Sequence, residues 1–185
     1  MNNLLTLILS LIWSFFLLFK IIPFLSYDIP NERSSHEIPV ARGGGIIFII
    51  SSILSIPISG SYSFLFLLPL GIVGLLDDIY SLSPKIRYLV QLFTVVLITL
   101  LHFDYFSTVD FNLLKIFILV FFILLGTTII NFSNFMDGID GLLGSTMFII
   151  FLNISLINSS INLYTILGSL IAFLYFNKSP AKVFM

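Results

Sequence analysis

The chain has no cysteine, so neither a disulfide nor a thiolate metal site is open to it. Charge is almost as scarce. Only 9% of the 185 residues are Asp, Glu, Lys or Arg, against about 25% in ordinary soluble domains. The net charge of −1 gives no basic surface for a nucleic acid, so no nucleic-acid partner is expected. A basic leader with a small-residue cleavage site is also missing after Met1-Asn2-Asn3, so the first apolar segment is expected to stay as an anchor. What fills the chain is apolar bulk: 58% hydrophobic residues, 21 of them Phe, and a mean hydropathy of +1.15. That composition implies an all-α integral membrane protein.

Charge gaps and turn formers predict seven spans, near 4–25, 44–58, 62–76, 88–101, 113–130, 142–157 and 162–176, in a single multi-span domain over 1–185. The 34 uncharged residues between Arg42 and Asp77 are divided at Ser59-Gly60-Ser61. The 37 between Asp140 and Lys178 are divided at Asn158-Ser159-Ser160. Alternate loops then fall on alternate sides. Arg33, Arg42, Lys85, Arg87, Lys178 and Lys182 share one side with Lys20 at its edge, and Lys115 alone lies on the other. The positive-inside rule makes the first side cytoplasmic and puts the N-terminus outside. Seven of the nine acidic residues are inside as well.

Three polar stretches meet on that face. Asn131 to Gly141 reads N-F-S-N-F-M-D-G-I-D-G, with Asn131, Asn134, Asp137 and Asp140 three apart. On a helix such a row drifts roughly 60° per step. A helix end that breaks into a glycine loop at Gly138 and Gly141 would gather the four groups, offering oxygens to hard cations or to sugar and base hydroxyls. The plain alternative is a helix cap and turn. Asp77-Asp78 with Lys85 and Arg87 forms the second stretch. Adjacent carboxylates need water, a cation or those bases to neutralise them, and the plain alternative is an interfacial stop signal paired with Lys85 and Arg87. The third stretch holds Asp28, Arg33, His36 and Arg42 ahead of Gly43–Gly45, whose amides could approach a ligand closely, or it is a solvated loop that fixes topology. His102 reads as an ordinary loop histidine.

Taken together and in order, Arg33-Ser-Ser-His36, Pro39 and Arg42-Gly-Gly-Gly45, then Gly74-Leu-Leu-Asp77-Asp78, Lys85-Ile-Arg87 and Gln91, then Asn131-x-x-Asn134-x-x-Asp137-Gly-Ile-Asp140-Gly-Leu resemble the polyprenyl-phosphate N-acetylhexosamine-1-phosphate transferases. The likeness covers nearly the whole chain and is nearest to the bacterial branch that initiates O-antigen or related surface polysaccharides. It implies a multi-pass enzyme of the bacterial inner membrane, transferring a sugar-1-phosphate from a UDP-sugar to undecaprenyl phosphate with release of UMP. It implies Mg²⁺, or Mn²⁺ in its place, with Asn134 at the metal and Asp77 and Asp78 catalytic beside it. Arg33, His36, Arg42, Lys85, Arg87, Asn131, Asp137 and Asp140 would bind substrate.

Such enzymes have ten or eleven spans and continue past a segment like Ser179-Pro-Ala-Lys-Val-Phe-Met185 into Gly-Asp-x-Gly-Ser, which supplies a further aspartate ligand. The expectation is therefore an N-terminal portion, acting with a missing C-terminal half or in a homodimer. The competing readings are a small transporter or channel and an inactive remnant. A transporter would place its carboxylates near the bilayer midplane rather than at span ends.

Overall fold

The computed structural model describes residues 3–30, 36–60, 62–101, 113–158 and 160–185. Seven α-helices run through them: α1 (Asn3–Ile21), α2 (Ile46–Ser59), α3 (Leu68–Tyr80), α4 (Pro84–Leu101), α5 (Leu113–Met136), α6 (Leu142–Ile157) and α7 (Ile161–Asn177). The chain is mainly helical and strongly apolar, as expected of an all-α membrane protein. Among the described residues, three segments are long and apolar enough to cross a bilayer: Asn3–Phe24, Pro84–Leu101 and Leu113–Met136. The 14 residues of α2 extend roughly 21 Å at 1.5 Å per residue, short of a hydrocarbon core of about 30 Å.

Two differences from the sequence reading affect the candidate site. First, the polar interval at 77–87 is mostly helical. α3 runs on to Tyr80, where Ser81 takes a left-handed conformation (φ 50°), and α4 begins at Pro84. Pro at the first helical position has no N–H to lose, which explains the early start. Second, the chain is not wholly α. Two short strands, β1 (Tyr27–Asp28) and β2 (Val40–Ala41), pair antiparallel, with Asp28 opposite Val40, and Ala41 also bridges to Val183.

The helices fall into two compact units, Met1–Leu65 with Met136–Met185, and Phe66–Phe135. In the first, α7 is the central element, flanked by α1, α2 and α6. Lipid tails are as apolar as Leu, so helices in a membrane associate through close packing and interhelical hydrogen bonds rather than through the hydrophobic effect. The residues on α7 fit that requirement. Gly168 lies against the backbone of α1 at Leu7 and Leu11, and Ser14 joins Ser51 at 3.1 Å and Ser169 at 3.0 Å, all three buried. Toward the end of α7, Phe173 and Phe176 pack with Leu18, Ala41, Ile47 and Val183. In the second unit α3 packs on α4, and Gly126 of α5 admits the side chain of Val95.

Candidate active site

In the Phe66–Phe135 unit, the candidate residues sit on helix ends. Asp77 and Asp78 lie near the C-terminal end of α3, both half-buried, and Asp77 Oδ2 accepts from Arg87 Nη1 at 2.7 Å. The stop-signal reading therefore captures one real contact. Lys85 stays exposed in the first turn of α4. On α5, Asn131 Nδ2 donates to Gln91 Oε1 and to the Thr127 carbonyl, both at 2.9 Å. That leaves the carbonyl side of this exposed amide as its other polar face. Asn134 is exposed one turn further on. The Asp77–Arg87 pair is partly open to solvent, with side-chain exposures of 23% and 33%, so it adds about 1 kcal/mol or less to stability. Arg87→Gln is accordingly expected to leave the unfolding transition in detergent shifted by no more than about 1 kcal/mol, measured by thermal denaturation.

The other unit carries Asp28, His36, Arg42, Asp137 and Asp140. The β1–β2 ribbon brings Asp28 to Arg42, Oδ2 to Nη2 at 2.8 Å. His36 Nε2 is 3.8 Å from the same carboxylate, beyond hydrogen-bond reach. The ring packs edge-on to Phe184, and neither nitrogen meets a hydrogen-bond partner among the described residues. Arg33 lies outside the described residues, as does His102. The expected helix break occurs. α5 ends at Met136, and Gly141 (φ 72°) adopts the left-handed conformation that starts α6, a geometry that disfavours side chains larger than hydrogen. Asp137 and Asp140 lie in the intervening loop.

The last residues of the chain bring these parts together. Segment 181–185 runs between the Arg42-Gly-Gly-Gly turn and the 137–141 loop. On one side Ala41 and Lys182, Phe184 and Ala41, and Gly44 and Phe184 exchange backbone hydrogen bonds at 3.3, 2.8 and 2.9 Å. On the other side Asp140 Oδ2 accepts from the Ala181 N–H and Asp137 Oδ1 from the Met185 N–H, each at 3.1 Å. At Gly44 the amide is already taken by the chain's own backbone. A Cβ on Gly44 would stand 2.8 Å from the Phe184 carbonyl oxygen, and the space left by the missing side chain is filled by the chain's own C-terminal segment.

The same residues do not make a home for the divalent cation. Among the described residues no three His, Asp or Glu side chains converge on a point where an ion could sit. Asp77 is engaged by Arg87, and Asp137 and Asp140 each hold a backbone N–H. A hard cation collects about six oxygens, and the described residues do not supply that shell. Sequence reasoning also passed over Asn177, which is 2% exposed and hydrogen-bonded at both ends of its amide. Its only sequence signal is a polar residue closing an apolar run.

The family model for glycosyl transferase family 4 matches residues 61–185. The chain belongs to glycosyl transferase family 4. Among curated members of this family, it is 30% identical to the Bacillus subtilis (strain 168) protein named "Probable undecaprenyl-phosphate N-acetylglucosaminyl 1-phosphate transferase", over 85% of this chain and 49% of that one. It is 33% identical to an undecaprenyl-phosphate alpha-N-acetylglucosaminyl 1-phosphate transferase of Thermotoga maritima, over 85% and 50%. It is also 33% identical to a phospho-N-acetylmuramoyl-pentapeptide-transferase of Dictyoglomus turgidum, over 77% and 52%. The chain thus spans about half the length of the curated family 4 relatives it matches. Relatives of both the N-acetylglucosaminyl and the muramoyl-pentapeptide kind stand at like identity, so the comparisons support the family without selecting the O-antigen branch.

Proposed function

We propose that this chain forms the first part of an integral-membrane enzyme that transfers an N-acetylhexosamine-1-phosphate from a UDP-sugar to undecaprenyl phosphate, at the cytoplasmic face of the bacterial inner membrane, to initiate a surface polysaccharide. An oxygen of the lipid phosphate attacks the β-phosphorus of the UDP-sugar. A new P–O bond forms there, the bridge to the α-phosphorus breaks, and UMP leaves with the bonding pair.

The observation that carries this reading is where the polar residues lie on apolar helices. Asp77 and Asp78 stand at the end of α3, Asn131 and Asn134 at the end of α5, and Asp137 and Asp140 directly before α6. Carboxylates and amides at helix ends serve a reaction in which one substrate is a membrane lipid and the other a soluble nucleotide, whereas an ion path would need them at mid-helix. In this proposal Asp77 and Asp78 activate the lipid phosphate. Arg33, Arg42, Lys85 and Arg87 offset the phosphate charge, and His36 supplies a hydrogen-bond donor. Asn131, Asp137 and Asp140 hold the sugar nucleotide. Mg²⁺, or Mn²⁺, would take Asn134 as one ligand and complete its shell with groups outside the described residues.

The test compares purified Met1–Met185 with the chain extended to the length of its relatives, both supplied with undecaprenyl phosphate, a UDP-N-acetylhexosamine and Mg²⁺. The extended protein is expected to form UMP and the short chain little or none. Robust turnover by the short chain would overturn the claim that it is one part of the catalytic unit.

A further inference from the structure

The tail and the 137–141 loop are joined by a side chain to which the proposed reaction assigns nothing. Asn177, at the end of α7, accepts from the Gly141 N–H through Oδ1 at 3.0 Å and donates to the Val183 carbonyl through Nδ2 at 2.8 Å. It is 2% exposed, so neither end of the amide has water to fall back on, and a buried polar group left without its partner is destabilising. The two bonds reach 36 residues back and 6 residues forward. On one side they fix the left-handed residue that starts α6. On the other they fix the segment whose N–H groups hold Asp140 and Asp137.

We propose that Asn177 is a positioning residue. It staples the Asp137–Asp140 loop to segment 181–185, so that both carboxylates are set before any substrate arrives. Its two ends act separately, the carbonyl on the loop and the NH₂ on the tail. The consequence for turnover rests on the transferase reading, whereas the staple itself does not.

The two ends can be separated by substitution. Asn177→Ala removes both bonds. Asn177→Asp keeps an acceptor for Gly141 but replaces the donor to Val183 with an oxygen that repels its carbonyl. Amide hydrogen exchange, resolved by residue on the ligand-free 185-residue chain in detergent micelles, reads both. Asn177→Ala is expected to lower protection about ten-fold at Gly141 and at Phe184 and Met185, with the α3 and α4 amides unchanged. Asn177→Asp is expected to lower it at Phe184 and Met185 only.

Wild-type protection at Gly141 in Asn177→Ala would overturn the proposal, as would a residue that only touches substrate, which leaves ligand-free exchange unmoved. If Asn177→Ala does not fold, Asn177→Asp carries the same test, and loss at both places overturns it. In the extended enzyme, kcat/KM for the UDP-sugar should fall about ten-fold in Asn177→Ala, mainly through KM, and recover in part in Asn177→Asp. An unchanged kcat/KM beside a loosened loop overturns the positioning role. An inactive wild type overturns the transferase reading alone, and the exchange result still decides the staple.

Discussion

Asp77→Asn is expected to lower the rate of UMP release about a thousand-fold in the chain extended to the length of its relatives, with the folded protein otherwise intact. The substitution keeps the shape of the side chain and removes its charge and basicity. Under the proposal that Asp77 activates the lipid phosphate, the contribution at stake is of the order of general-base catalysis, about 10²–10⁴ in rate. Stability should change little, because Asp77 and Arg87 form a partly exposed ion pair. The measurement is kcat from UMP release, read beside a thermal unfolding curve. Near-wild-type kcat would remove Asp77 from the chemistry and leave it the plainer role of ending α3 against Arg87.

The second large effect is on stability. Gly168→Ala should destabilise the protein by about 3 kcal/mol or more, measured by thermal or denaturant unfolding in detergent. A Cβ at this position would overlap Ser10 Oγ and the Leu7 carbonyl oxygen and stand 2.9 Å from the Leu11 nitrogen. A serine hydroxyl can swing away, but the helix backbone cannot. α1 and α7 would have to separate along the crossing that also carries the Ser14–Ser169 hydrogen bond. Removing the hydroxyl in a Ser10→Gly/Gly168→Ala double variant should therefore recover only part of the loss. Gly126→Ala, whose Cβ would press first on the side chain of Val95, should cost less. Equal losses at the two glycines would contradict this account of the α1–α7 crossing.

These sites differ in how far the sequence could convey them. Uncharged runs and the breaks at Gly60 and Asn158–Ser160 located the helices because each signal is local: a buried backbone in lipid must be helical, and a helix stops where glycine or serine allows a turn. The end of α5 followed from Asn, Asp and Gly recurring near Met136. The end of α3 and the start of α4 did not, because a polar residue at the membrane surface continues a helix as readily as it ends one. Thus Asp77, Asp78, Lys85 and Arg87 are all helical although they lie outside the predicted spans 62–76 and 88–101.

Pairings across long separations left no local mark. Nothing near Gly44 says that its missing side chain makes room for Phe184 and Val183, and nothing near Asn177 says that it reaches Gly141. The hydroxyls of Ser14, Ser51 and Ser169 look like scattered polar residues in apolar runs until the three helices are brought side by side.

The central claim is that the leaving group is a nucleoside monophosphate. A transfer of the sugar alone would leave UDP, whereas transfer of sugar-1-phosphate leaves UMP. Incubating the extended protein with undecaprenyl phosphate and a UDP-N-acetylhexosamine, then separating the nucleotides and the lipid products, distinguishes the two. The account predicts UMP and a lipid diphosphate sugar in equal amounts. UDP with a lipid monophosphate sugar would contradict it.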